Sequence, residues 1–199
     1  MGLSLVLLTE LDAVNAMLET VGETPVSSLP STGVDEAYIA RTILHRTSRE
    51  VQARGLNFNT DRKYKMTRDV NGRVEVPANV LTIDAFYYDQ RFVPRLNSVT
   101  DRIELYDQDD QTFVLKEDPY VDVVWFFAWE GLPNHVRDIV YISGARRYQA
   151  RYQSSQIIHQ LTEVEEARAW ATFWSEEYRS EDSSILSSFE CQRILNRRA

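Results

Sequence analysis

The side chains of this chain best suited to chemistry are acidic ones. Asp84, Asp89, Asp101, Glu104, Asp107, Asp109, Asp110 and Asp118 crowd one stretch, with Tyr87, Tyr88 and Trp125 close by in sequence. Two carboxyls flanking a groove hydrolyse a glycosidic bond, one as acid and the other as base or nucleophile. One functional reading is therefore a carbohydrate or peptidoglycan hydrolase working through carboxylates of this region. Against it, these residues fall at the ends of short apolar runs, where Asp closes turns by bonding its own backbone, and sequence sets no two of them on one cleft. Other chemistries find less support. His45, His135 and His159 are isolated, with no paired His or Cys at metal-ligand spacing. The seven glycines form no phosphate-cradling loop, and no Ser sits in a nucleophile elbow. Cys191 is a lone thiol with no helix start or basic partner before it to lower its pKa. The residues imply no catalytic centre, no metal and no cofactor.

Stepping out from these side chains, the composition fits one domain or one domain carrying a large insertion. The chain has 199 residues, 43% of them hydrophobic, so an ordinary core can form. A formal charge of −8 argues against general nucleic-acid binding and against an anionic membrane surface. One cysteine permits no intrachain disulfide and suits a reducing compartment. Leu3 to Leu8 is apolar but short and is followed at once by Glu10 and Asp12; it reads as a lead-in to a helix rather than a signal peptide or membrane span.

Hydrophobic period divides the chain into helical ends and a β middle. Thr9-Glu10-Leu11-Asp12 has the form of a capped helix start, and Leu11, Val14, Leu18 and Val21 follow at helical spacing, with Gly22 as a stop. A second helix is predicted from about Asp35 to Arg54, its apolar line being Ile39, Ile43, Leu44, Thr47 and Val51, with Gly55 as cap. From Asn59 the period shortens. Asn71-Gly72 predicts a two-residue hairpin turn between Thr67–Val70 and Arg73–Val76. Strands are predicted at 80–88, near Phe92, at 103–106 and at 113–115, and Val121 to Trp129 as one strand whose odd residues form a buried face. Strands this short suggest a small antiparallel sandwich or barrel. After Gly131-Leu132-Pro133-Asn134 a third helix carries Val136, Ile139, Val140, Ser143, Arg147 and Tyr148 on one side. Thr162-Glu163-Val164-Glu165 reads as a capping box opening a fourth, with Ala167, Ala171, Trp174 and Tyr178 as its apolar line. The fold class expected is α+β: a four-helix bundle (residues 1–58 and 131–182), a small antiparallel β insertion (59–130) and an extended C-terminal arm (183–199).

Two charged or mixed clusters remain. Arg137, Arg146, Arg147 and Arg151 give the third helix a basic side, and the fourth carries Glu163, Glu165, Glu166, Glu176, Glu177 and Glu181. These either pair within the chain, at under ~1 kcal/mol per exposed pair, or match between copies in a ring, where head-to-tail contacts need two different complementary faces. On the second reading Arg137, Arg146, Arg147, Arg151, Glu163, Glu166 and Glu177 are inter-subunit residues. The C-terminal segment sets the apolar Ile185, Phe189, Ile194 and Leu195 beside Arg193, Arg197 and Arg198, after a Ser-rich start. That combination suits a docking arm that orders on a partner.

Several segments together resemble one family. Leu11-Asp12-Ala13-Val14-Asn15-Ala16-Met17-Leu18, then Gly22-Glu23-Thr24-Pro25-Val26-Ser27-Ser28-Leu29, are similar to the N-terminal signature of the tail tubular protein A family of T7-like short-tailed bacteriophages. Arg49, Val51, Gln52, Arg54, Gly55 and Phe58-Asn59 resemble it too, as do Val76-Pro77-Ala78-Asn79-Val80-Leu81 and Leu132-Pro133 with Ala145-Arg146-Arg147-Tyr148-Gln149-Ala150-Arg151. The likeness runs from about Leu11 to Ser183; Leu56 departs from it, standing where the family often has tryptophan. The resemblance implies a portal–nozzle adaptor without catalytic residues. It implies a twelve-membered ring of this chain below the portal protein, a tail nozzle protein (tail tubular protein B-like) beneath, and DNA passing through the lumen without specific binding. It also implies a place in the virion tail after assembly in the bacterial host cytoplasm, with no membrane involved. The C-terminal residues named above would then bind the portal. A transient assembly chaperone is a third class of function.

Overall fold

The computed structural model describes residues 8–33, 35–87, 90–152 and 156–185, with the backbone alone at 152, 156–162 and 180–185. The chain is α+β and divides into two compact units, residues 1–51 with 128–199, and Gln52–Phe127.

The first unit is helical: α1 (Glu10–Glu19), α2 (Glu36–Gln52), α3 (Asn134–Tyr152) and α4 (Gln156–Ile185). α1 starts where sequence places it. The Asp12 amide donates to Thr9 Oγ1 at 3.1 Å, and the Thr9 amide donates back to Asp12 Oδ2 at 3.2 Å. Such a box satisfies two otherwise orphaned amides and is worth about 1 kcal/mol. At the other end Gly22 takes φ +83°, which lets the Glu23 amide reach the Leu18 carbonyl at 3.0 Å. Ala13, Val14, Met17 and Leu18 form the buried face of α1. α2 buries Ala37, Ala40, Leu44, Thr47 and Val51, and α3 buries Val136, Ile139, Val140, Ser143 and Tyr148. Gly144 marks the close approach among these three helices: a β-carbon built on it would stand 3.6 Å from Leu44 Cδ1 and 3.7 Å from Met17 Sδ. Each fully buried aliphatic side chain here contributes about 1.5–3 kcal/mol.

Two expectations fail on α4. The helix begins at Gln156, so Thr162 lies inside it and opens nothing; with no Gly or Pro between Gln156 and Leu161, nothing in the backbone stops the helix from extending upstream. The expected apolar line also faces the wrong way. Ala167 and Ala171 are exposed, Tyr178 is 62% exposed, and the buried positions are Phe173 and Glu177. Packing against α3 selects the stripe one position away, and Trp174 and Tyr178 are left to stack along the helix with Trp170.

Among its described residues the second unit has five strands, β1 (Thr60–Lys65), β2 (Val80–Ala85), β3 (Phe92–Asn97), β4 (Arg102–Asp107) and β5 (Tyr120–Trp125). One antiparallel sheet has the order β1-β5-β2, and β3-β4 is a separate hairpin. The two sheets enclose one core of Met66, Val74, Ile83, Leu105, Leu115, Val121 and Val123. Ile83 pairs with Val123 and Ala85 with Val121, so both inward residues of β5 meet the inward side of β2.

Here too the structure corrects the reading. Asn71-Gly72 lies in a turn but joins no pair of strands. Asp69 accepts the amides of Asn71 and Arg73, each at 2.8 Å, and of the two turn residues Gly72 takes positive φ. The returning segment pairs elsewhere: the Val76 amide donates to the Ile103 carbonyl at 2.9 Å and the Leu105 amide to Val74 at 2.9 Å. An Asx turn competes locally with the primed turn the dipeptide favours. Residues 113–115 form no strand, although Leu115 enters the core. The strand begun at Tyr120 ends at Trp125; Phe127 is 37% exposed, and Trp129 belongs to the helical unit, where its indole donates to the Leu8 carbonyl at 2.9 Å.

One carboxamide holds the two ends of the β unit together. Gln52, fully buried, donates to the Phe127 carbonyl at 3.0 Å and accepts the Phe127 amide at 2.8 Å. Asn59 Nδ2 donates to the carbonyls of Gln52 at 3.0 Å and Trp125 at 2.7 Å.

Candidate assembly surfaces

Several carboxylates of the β unit are engaged in structure. Glu104, 3% exposed, accepts from Asn97 Nδ2 at 2.7 Å and from the Thr100 hydroxyl at 2.7 Å. Asp107 accepts the amides of Asp109 and Asp110, closing the turn after β4. Asp110 pairs with Lys116 at 2.6 Å. Asp118 accepts the Arg68 amide and guanidinium and pairs with Lys65, contacts that hold its carboxyl below the ordinary range. Asp84 is exposed opposite Asp122 on the sheet, Asp101 sits in the β3–β4 turn at φ +55°, and Asp89 lies outside the described residues. Among the described residues no group of three or more His, Cys, Asp or Glu side chains is arranged to hold a metal ion. No helix among them is long and apolar enough to cross a membrane.

The charged residues of α3 and α4 are used in different ways. Arg137, expected on a basic helix side, is 4% exposed and donates to the carbonyls of Leu132 at 2.9 Å, Leu8 at 3.1 Å and Glu130 at 2.8 Å. Its charge is spent inside, tying the loop before α3 to the residues before α1. Arg146, Glu163 and Glu166 form a cross-helix cluster. Arg146 donates to Glu163 at 2.8 Å and also to Glu166, whose other oxygen accepts from Ser143 Oγ at 2.8 Å. Burial works against the Glu166 charge, yet the bonds from Arg146 and Ser143 outweigh it and keep the carboxyl below its ordinary value. Arg147 turns to α2, reaching Glu50 at 2.6 Å. Glu177 stands 3.4 Å from His135. Arg151 is exposed on the last turn of α3.

Sequence reading missed one pairing altogether. Glu10, in the first turn of α1, accepts from Arg41 Nε at 2.7 Å and stands 2.7 Å from His45 Nε2, both on α2. These positions lie 31 and 35 residues away, and no local spacing signals them. Of the expected portal-binding residues, Ile185 is the last residue of α4, and Phe189, Arg193, Ile194, Leu195, Arg197 and Arg198 lie outside the described residues, as does Cys191.

Ion pairs thus cross-link the helices, and several acidic residues of the β unit close turns. Comparison with known proteins identifies the family. The tail tubular protein family model matches residues 11–183, a span that takes in both units. The chain belongs to the tail tubular protein family, whose members are structural components of phage tails and not enzymes. It is 28% identical to the Tail tubular protein A of Klebsiella phage KP34 over 148 residues, 74% of this chain and 70% of that protein. Among solved structures, a chain of the virion of the native gene transfer agent (GTA) particle aligns over 71% of this chain and 80% of its own. Identity is 15% and the TM-score 0.27, too loose a superposition to equate the folds.

Proposed function

We propose that this chain is the head-to-tail adaptor of a short-tailed phage. Twelve copies form a ring below the portal protein, with the tail nozzle protein docked beneath and the genome passing through the lumen without specific binding. In this reading the four helices make a bundle that forms the ring wall, the β unit is an insertion on it, and residues 183–199 are an arm that binds the portal through Ile185, Phe189, Arg193, Ile194, Leu195, Arg197 and Arg198. Assembly takes place in the host cytoplasm. The observation that carries the reading is the family match across residues 11–183.

Charge is consistent with it. Duplex DNA held by a basic wall would bind through counterion release and resist sliding, whereas a chain of formal charge −8 suits an acidic channel through which a genome must move. Head-to-tail closure of a ring needs two unlike faces, and Arg151, exposed on the last turn of α3, offers a positive charge to one of them. Mixing purified chain with portal and nozzle proteins and measuring the mass of the complex tests the proposal. The expected product contains twelve copies of this chain bridging the other two. A complex that forms equally well without it, or finished particles that lack it as an assembly chaperone would, refutes the reading.

A further inference from the structure

α3 and α4 run antiparallel, with Ser143 and Arg146 facing Glu166 and with His135 facing Glu177. One stripe of each helix lines a groove. It comprises Asp138, Ile142, Ala145 and Gln149 on α3, with Glu165, Ala169, Thr172 and Glu176 on α4. Its two halves, about 300 and 370 Å³, share Tyr141 and Ile142 in their linings, and Thr20 at the end of α1 also borders the first. Ile139 and Phe173, 1% and 2% exposed, floor one half. Asp138 and Glu176 stand at one end and Glu165 toward the other. Partial burial and the nearby Glu176 charge push the Asp138 carboxyl up, against the opposing pull of His135. Of the basic side chains lining the groove, Arg146 is committed to Glu163 and Glu166, and His135 stands 3.9 Å from Glu176 and 3.4 Å from Glu177.

The complementary occupant is an apolar segment carrying positive charge, and this chain contains one. Residues 186–199 hold Leu186, Phe189, Ile194 and Leu195 with three arginines and one acid, Glu190, in a protein of formal charge −8. Length allows the fit. α4 ends at Ile185, about 14 Å of helix beyond Glu176, and the groove runs roughly 16 Å from Glu176 to Glu165, while the remaining chain spans up to roughly 45 Å when extended. A tether this short gives an effective concentration in the millimolar range, which favours the chain's own groove over a neighbour's.

We propose that the groove between α3 and α4 is the dock of the chain's own C-terminal segment, residues 186–199, which it holds until the portal takes that segment away. This rests on reading the segment as the portal-binding arm. Apolar side chains lie on Ile139, Ile142 and Phe173, and arginines meet Asp138 and Glu176. The portal then binds by competition, and its apparent affinity is the intrinsic one multiplied by the fraction of arms released.

Cys191, the single cysteine, provides the test in the full-length chain. Ala169→Cys, Thr172→Cys and Gln149→Cys are introduced one at a time, and dilute protein is treated with a short flexible bis-maleimide. The expected result is a link within one chain, slowed at least fivefold by Asp138→Lys with Glu176→Lys or by Arg197→Glu with Arg198→Glu, and restored when both sets are combined. Links between chains, or none from any of the three positions, overturn the proposal. Ending the chain at Ile185 and measuring portal binding examines the arm reading separately. If links form within the chain while truncation leaves portal binding unchanged, the dock stands and the portal-binding role of the arm falls.

Discussion

Glu10 on α1 and Arg41 on α2 meet at 2.7 Å, with the Glu10 side chain 11% exposed and His45 on its other flank. Burial alone would raise this carboxyl; the bonds from Arg41 and His45 more than offset it, and the net shift is downward from 4.5. One carboxylate thus joins the first two helices across a long loop. Glu10→Ala should lower stability by about 2 kcal/mol, the scale of a charge-assisted bond lost with its partners left behind, measurable as an earlier midpoint in urea. A midpoint unchanged from wild type would show that the pair is ornamental.

The acid limb of stability follows from the same shift. Glu10 and Glu166 both hold lowered pKa values in the folded chain, so below their ordinary values the unfolded chain binds the extra protons. Their contribution is complete above pH ~4.5 and is lost as pH falls through the folded values. Thermal scans should give a near-constant midpoint from pH 7 to 5 and a fall below that, shallower in Glu10→Gln. An equal fall in wild type and variant would remove Glu10 as a cause.

Arg137 offers a test of fold against interface. Its guanidinium satisfies the carbonyls of Leu132, Leu8 and Glu130, so Arg137→Leu strands three acceptors and should cost about 3 kcal/mol or more. If Arg137 acted between subunits, the variant would instead melt like wild type and fail only in ring assembly.

On α4, Glu166→Gln weakens the bonds to Arg146 and Ser143 and should cost about 1 kcal/mol. The loss should be local: faster amide exchange along residues 163–177, with the β unit unchanged. Exchange that rises equally in both units would contradict this.

In the β unit, Gln52→Leu removes both bonds to Phe127 and should cost about 2–3 kcal/mol, since a buried amide and carbonyl lose their partner. Gln52→Glu keeps the acceptor and loses the donor, so its cost should separate the two bonds. A wild-type midpoint for the leucine variant would mean that other contacts close the unit.

The sequence exposed those features that rest on a few adjacent residues. The Thr9–Asp12 box, the Gly22 stop and the burial of Leu44, Thr47 and Val51 follow from local geometry and helical period. What it hid depends on distant partners. α4 turns Phe173 inward and Tyr178 outward because α3 selects the stripe, and residues 74–76 pair with β4 because Asp69 takes the turn amides first. Charged candidates divided in the same way: type and position named Arg146 and Glu166, but only the fold shows that they face each other and that Arg137 faces inward. Family likeness supplied what neither period nor charge encodes, a structural place in a phage tail.

The clasp of Gln52 on Phe127 also bears on how such a chain diversifies. Because Gln52 bonds to both the amide and the carbonyl of Phe127, the β unit leaves and rejoins the chain at adjacent points. The loops between can therefore lengthen or shorten without separating its two ends.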